Sequence, residues 1–508
     1  MARIPHAMLP RSSAPLRHAV APARRTFATS RSARVQRLLW AGAVLDRTSA
    51  ALAEVPRDWL LSLGAQSDVE QGISFTSLAA SPSHALLAYR TLPSSSAPTH
   101  DSSAPALGEY AATRVPHARH RVVAVGRNTH GELGLGYTSH EATWGLVSPG
   151  FDGEGGVRAV HAGGSSSWIV TKTHAAELAP NSLFAFGNHT SGQLALGQHV
   201  TQSASGEPQL ALVSAPRRAS LQATDERLQH AGEEAAAPTR VLSLATGLDH
   251  SLALLDIDGR QEVRSTGVNT DGQLGRPDVR FSSPALLPLA PFWGGDTLRG
   301  VAAGGDTSVA WSAARIWGWG NSEYGQALSG ELVDRIEAPR EYTHAVDAAL
   351  QGARVADVKC GGSWTLVLDD QGRVFSCGFG ALGLGAERLS SATLQQIPAL
   401  AHERIVTLGA GLEYCAALSA SGRLYSWGLN SPSGRLGLGP PLPRPSFALA
   451  SRFTPDAVEL RTYEPLEAQG MRRAWSRVPQ HAHIVCGRDA LWVLVEDGQE
   501  EVGRWAAR

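Results

Sequence analysis

Few residues in this chain are spaced to do chemistry. Its four cysteines, Cys360, Cys377, Cys415 and Cys486, include no Cys-x-x-Cys pair. A zinc knuckle or a dithiol redox centre needs two sulfurs held close, so these thiols read as reduced core side chains. His481-Ala482-His483 sets two imidazoles on one strand face, half of a metal site, with no third ligand near in sequence. Asp256-Ile257-Asp258-Gly259 opens like a calcium loop but lacks the later ligands, and reads as a turn. Gly361-Gly362 leads into an apolar strand rather than Gly-Lys-Ser/Thr, which excludes a phosphate loop. No nucleophile–base pair is visible, so hydrolase chemistry is not expected. The expectation is no catalytic residue, no cofactor and no metal.

The glycines point instead to a repeat. The 508 residues include 53 Gly, while only 18% are charged. That balance suits short strands and tight turns, and excludes a coiled coil, a long helical solenoid and a mainly disordered chain. One module is an apolar strand, Gly, four residues, a second Gly, then Gln-Leu or a relative. It runs Val125-Gly126 to Gly131-Glu132-Leu133, Phe186-Gly187 to Gly192-Gln193-Leu194, Gly267 to Gly272-Gln273-Leu274, and Trp319-Gly320 to Gly325-Gln326. A shortened copy starts at Cys377-Gly378, and a copy with one insertion runs from Trp427-Gly428 to Gly434-Arg435-Leu436. A second module reads apolar strand, Gly, three residues, apolar strand. Seven copies fall at 75–89, 157–170, 241–254, 298–311, 354–368, 404–418 and 482–495, the first without its Gly.

X-Gly turns at Asp258-Gly259, Gln371-Gly372 and Ser421-Gly422 join the modules, as two-residue hairpin turns do. Each unit is then about four short antiparallel strands in roughly 50 residues, the period of a propeller. Such a sheet cannot bury both faces alone, and a ring of units buries them. The module glycines are expected at positive φ. Asn128, Asn269 and Asn430 are expected to tolerate the left-handed conformation too. The Leu after Gly-Gln is expected in the seam between units. His84 and His250 hold a position taken elsewhere by Thr307, Trp364 or Tyr414, expected to face the next blade. Trp317, Trp319 and Trp427 read as core. Segments 92–119, 198–239, 329–353 and 440–480 read as loop insertions, either lineage-specific loops or a docking surface.

The Gly-x-Asn-x-x-Gly-Gln-Leu-Gly-x-Gly module and its Gly-x-x-His-Ser partner resemble the regulator of chromosome condensation repeat family over about residues 72–505. The resemblance implies an all-β, seven-bladed propeller of four-stranded antiparallel blades, closed by strands from both chain ends. The seventh unit, at 482–495, has no complete glycine module after it. The segments available to complete it are Arg37-Leu38-Leu39-Trp40-Ala41-Gly42, like a degraded Trp-Gly strand, and the tail from Glu501 to Trp505. A mixed blade with residues near 36–42 beside 482–495 is expected.

Charge is unevenly placed. Residues 1–45 hold eight Arg and no Asp or Glu, amid Ser, Ala and Pro, the composition of a mitochondrial transit peptide. Arg25-Thr26-Phe27 followed by small residues predicts processing after residue 27, with 28–71 an N-terminal extension and 72–508 the propeller. Removal of 1–27 leaves 40 basic against 46 acidic side chains, a net charge of −6. Such a body has no overall electrostatic footprint for DNA. No run of 18 apolar residues exists, so no spanning helix is expected.

The expected function is a mitochondrial interaction scaffold or assembly factor, for a respiratory complex or the mitochondrial ribosome, in the matrix or on the matrix side of the inner membrane. The alternative, implied by the family's founding member, is guanine-nucleotide exchange on a small or mitochondrial GTPase. In either case the partners are proteins.

Overall fold

The computed structural model describes residues 36–55, 73–91, 119–148, 156–172, 181–197, 212–219, 239–439, 453–459 and 482–496. They form seven four-stranded antiparallel sheets. Blade 1 comprises Ile73–Ala80, His84–Thr91, His120–Asn128 and Ser139–Leu146. Blade 2 comprises Val157–Ala162, Ser166–Lys172, Asn181–Asn188 and Leu212–Arg218. Blade 3 comprises Thr239–Thr246, His250–Ile257, Arg260–Val268 and Ser282–Pro288. Blade 4 comprises Leu298–Ala303, Thr307–Ser312, Ile316–Ser322 and Val333–Glu341. Blade 5 comprises Val355–Cys360, Trp364–Asp369, Val374–Phe379 and Ser390–Gln396. Blade 6 comprises Ile405–Ala410, Tyr414–Ser419, Leu424–Leu429 and Phe453–Glu459.

Burial peaks at the second strand of each blade and is least at the fourth. Second strands are sandwiched between neighbouring blades, so Thr307–Ser312, Trp364–Asp369 and Tyr414–Ser419 are buried throughout and read as near-continuous apolar runs. First strands meet across the blades and line the axis. Fourth strands form the outer edge and are mostly exposed, as in Ser390–Gln396. That weak apolar signal explains a difference from the sequence reading. Three of the segments read as insertions contain a fourth strand: Leu212–Arg218, Val333–Glu341 and Phe453–Glu459. The segment 329–353 also carries a helix, α1 (Thr343–Leu350), seated on buried Val346 and Leu350. The Arg373 guanidinium donates to the Leu350 carbonyl at 2.5 Å, which satisfies an orphan acceptor of the helix end. Residues 92–118, 198–211, 220–238, 440–452 and 460–481 lie outside the described residues. The hairpin ends that flank 92–118 meet, with Thr91 N donating to Arg119 O at 2.9 Å.

Blade 7 is mixed, as expected. Its order is Ala482–Cys486, Ala490–Glu496, Gln36–Val44 and Arg47–Glu54. The register sets Trp40 opposite Trp492 and Gly42 opposite Ala490. Residues 36–54 are therefore part of the ring, the portion of the 28–71 extension that contributes to its closure. The tail 501–505 lies outside the described residues. Residues 38–41 face both ways: Leu38 and Trp40 pack with Phe75 and Leu87 of blade 1. Leu39 and Ala41 pack with Tyr414 and Leu418 of blade 6. Burial of each large side chain contributes about 1.5–3 kcal/mol, so the strand is central to stability. A chain beginning at residue 35 should melt like the full chain in calorimetry. One beginning at residue 45 should melt far lower, because blade 7 is left with two strands and an open edge.

Candidate functional site

Because each blade's strands run antiparallel in sequence order, the turns between strands one and two and the loops between strands three and four emerge together on one face. One backbone geometry builds this loop face in all seven blades. Gly42, Gly126, Gly187, Gly267, Gly320, Gly378 and Gly428 take φ between 92° and 129°. A Cβ at Gly267 would strike the Asp249 carbonyl oxygen, just before the second strand. The same carbonyl meets the other six, from Asp489, Ser83, Ser165, Asp306, Ser363 and Glu413. Gly42 is thus the seventh copy of the module, carried by the N-terminal strand.

The loop after each glycine is held by its own side chains. Asn128 Oδ1 accepts from Leu133 N at 3.1 Å, Asn269 Oδ1 from Leu274 N at 2.8 Å, and Asn430 Oδ1 from Leu436 N at 3.1 Å. None of these asparagines has positive φ. Their role is the side-chain hydrogen bond, which corrects the conformational role expected from sequence. Gln193, Gln273 and Gln326 each accept, through Oε1, from the backbone N–H two residues earlier at 2.9 Å. Leu133, Leu194, Leu274 and Leu436 are fully buried, as expected.

Side chains of the next blade clasp this loop. The Gln273 carbonyl of blade 3 accepts from Ser308 Oγ at 2.8 Å and Trp319 Nε1 at 3.0 Å, both of blade 4. Trp427 Nε1 of blade 6 likewise donates to Ala381 O of blade 5 at 2.9 Å. The two histidines join the same seams. His250 Nε2 lies 3.0 Å from Ser308 Oγ, and His84 Nε2 lies 2.5 Å from Ser167 Oγ. Each serine gives its proton to a loop carbonyl, Ser167 to Glu132 O at 2.7 Å. It therefore accepts from a neutral Nε2–H imidazole. Burial pushes His84 down to about 3 and His250 down to about 4.

At the axis the turns of adjacent blades touch through backbone alone. Gly164 N donates to Leu248 O at 2.9 Å, and Gly305 N to Gly361 O at 2.9 Å. A Cβ at Gly164 or Gly304 would strike the next blade's carbonyl. These contacts close the channel to a neck of about 70 Å³, to which every blade contributes, from Ala80 to Cys486.

Away from the seams, the loop face offers recognition chemistry. Asp249, Asp271 and Asp306 cluster over blades 3 and 4, with Gln193 Nε2 on Asp249 at 3.4 Å and Gln273 Nε2 on Asp306 at 3.1 Å. Burial and the two neighbouring carboxylates raise Asp306 to about 6. Phe281 and Leu332 are 64% and 68% exposed. Tyr324 stacks on Phe379 of the next blade at 5.0 Å. The cysteines are free and buried, with Cys360, Cys377 and Cys486 pushed up to about 12 by burial, so they are poor nucleophiles. Trp317, Trp319 and Trp427 are core. Asp256 pairs with Arg240 and accepts from Gly259 N at 2.8 Å, a hairpin turn. His483 is exposed on the first strand of blade 7, and His481 lies outside the described residues.

These features define a seven-bladed propeller with glycine-built seams. Its relatives in sequence are RCC1-like proteins. It is similar to the RCC1-like G exchanging factor-like protein of Mus musculus, 35% identical over 214 residues, covering 39% of this chain and 43% of the relative. It is also similar to the ultraviolet-B receptor UVR8 of Arabidopsis thaliana, 36% identical over 217 residues, covering 41% and 46%. The chain thus spans less than half the length of these curated relatives. No protein-family model matches it. Human WBSCR16 shares the fold with a TM-score of 0.61 at 23% identity, over 91% of this chain and 99% of that one. Prp20p of Saccharomyces cerevisiae does so at 0.58 and 16%, over 92% and 93%.

Two measurements test the seams. Gly267→Ala should cost at least about 2 kcal/mol in urea unfolding, from left-handed strain plus a backbone clash. Gly259→Ala, at positive φ in open space, should cost only about 1 kcal/mol. The buried neutral histidines stabilise the fold above the unfolded pKa of about 6.5, and that contribution is lost as pH falls. His250→Gln should therefore flatten the loss of stability between pH 7 and pH 5 by about 2 kcal/mol. Asp306, raised in the fold, acts in the opposite direction and is the same in both proteins.

Proposed function

We propose that this chain is a protein-docking propeller of mitochondria that binds its partner on the loop face. The observation that carries the reading is how the polar groups are used. The conserved geometry of histidine, serine, asparagine and glutamine side chains is consumed in holding loops and seams. The side chains left over on the face, Phe281, Leu332, and Tyr324 with Phe379, suit recognition of a surface. The arginine-rich, acid-free first 45 residues support import. Ring closure constrains that import, because a presequence removed beyond residue 35 would take part of blade 7 with it. Within mitochondria, assembly of a respiratory complex or of the ribosome on the matrix side of the inner membrane is the finer form of this reading.

A second reading is nucleotide exchange on a GTPase. It is favoured by the mouse and human relatives named as RCC1-like G exchanging factor-like proteins, 35% and 36% identical. Exchange breaks no covalent bond in the protein and needs only a surface that distorts a nucleotide site.

Proximity labelling from the full chain should mark mitochondrial proteins, and N-terminal sequencing of the purified protein should find a start between residues 28 and 35. Phe281→Ser with Leu332→Ser should lose the main labelled partner at an unchanged melting temperature. A cytosolic chain that retains Met1 overturns the mitochondrial reading. Acceleration of GDP release from a mitochondrial GTPase moves the function to the second reading.

A further inference from the structure

The channel is not uniform. Beyond the glycine neck it widens into a chamber of about 570 Å³ between the first strands of blades 2 to 6. Small residues make the room: Gly300, Ala302, Ala356 and Ala245 line it. The charged side chains in the wall are Arg299, Lys359 and Asp357. Lys359 Nζ lies 3.0 Å from Asp357, whose Oδ1 also takes the Val358 N–H at 2.9 Å. Asp357 is thereby committed to its own strand. Arg299 is exposed and has no hydrogen bond or ion pair among the described residues. Across the chamber stands His161, which burial pushes down to about 4. The wall also includes Trp311, 6% exposed, whose indole Nε1 has no partner. The first strands are the inner edges of their sheets, so their axis-facing N–H groups have no ladder partner.

We propose that this chamber binds a small polyvalent anion, with Arg299 and Lys359 as its charged anchors and edge N–H groups as further donors. Two unequal facts favour an anion over a cation. The one carboxylate is already neutralised, whereas one of the two cations is free. The first-strand edges can add N–H donors to that free cation. The volume suits a small molecule rather than a folded partner. This site is on the axis and does not depend on the docking role of the loop face.

Calorimetric titration of the full chain with inorganic tripolyphosphate and, separately, with citrate tests the assignment and tells phosphate from carboxylate. Saturable one-site binding of either, weakening as salt is raised, is expected. Arg299→Gln and Lys359→Gln should each weaken it about tenfold or more, and Lys359→Arg should restore it. Ala356→Glu, which adds an acid at an exposed wall position, should abolish it without changing the melting temperature. The proposal is overturned if neither anion binds, or if Ala356→Glu and the Arg299→Gln, Lys359→Gln double variant bind as tightly as the unaltered chain.

Discussion

Everything in this ring depends on the close approach of backbone to backbone where a side chain would not fit. In each blade a third-strand glycine lies against the carbonyl that precedes the second strand, at a φ that only glycine takes without strain. At the axis, turn glycines lie against the carbonyls of the next blade. The first contact fixes the loop on its own sheet. The second fixes blade to blade. Serine, tryptophan and histidine then clasp a loop that is already in place, as at the Gln273 carbonyl. Seven repetitions make the ring rigid without a disulfide, a metal or a long helix among the described residues.

That division explains how the fold was legible and the site was not. Glycine positions, strand pairs and hairpin turns recur because backbone geometry repeats, and repetition is visible in one sequence. The blade count followed, and so did the mixed closing blade, since Trp40-Ala41-Gly42 keeps the glycine even though its loop is lost. The outer strands were absorbed into supposed insertions because an edge strand needs few apolar residues, as Leu212-Val213-Ser214-Ala215-Pro216-Arg217-Arg218 shows. The asparagines were given a conformational role because a side-chain acceptor and a left-handed residue favour the same amino acid. Only coordinates separate the two.

Residues of the exposed face leave little periodic trace. Phe281 and Leu332 immediately precede the fourth strands of consecutive blades, and Leu389 holds that place in blade 5, but no polar or glycine marker accompanies them. Arg299 and Lys359 belong to first strands whose other copies carry Leu242 or Val406 and Ala245 or Gly409. A departure from the repeat is the only sequence signal such residues give. It becomes readable once the register of every blade is known.

The order in which the chain is made gives the closing blade a further meaning. Gln36–Val44 leaves the ribosome about 450 residues ahead of its partner Ala490–Glu496. Over that span this apolar strand can pair only with Arg47–Glu54, and the closing contact is the longest-range strand pairing among the described residues. An interrupted translation product that lacks Ala482–Glu496 therefore keeps a two-stranded hairpin with an open inner edge. Such a fragment presents unpaired backbone to chaperones and proteases, so completion of the ring doubles as a check that synthesis has passed residue 496.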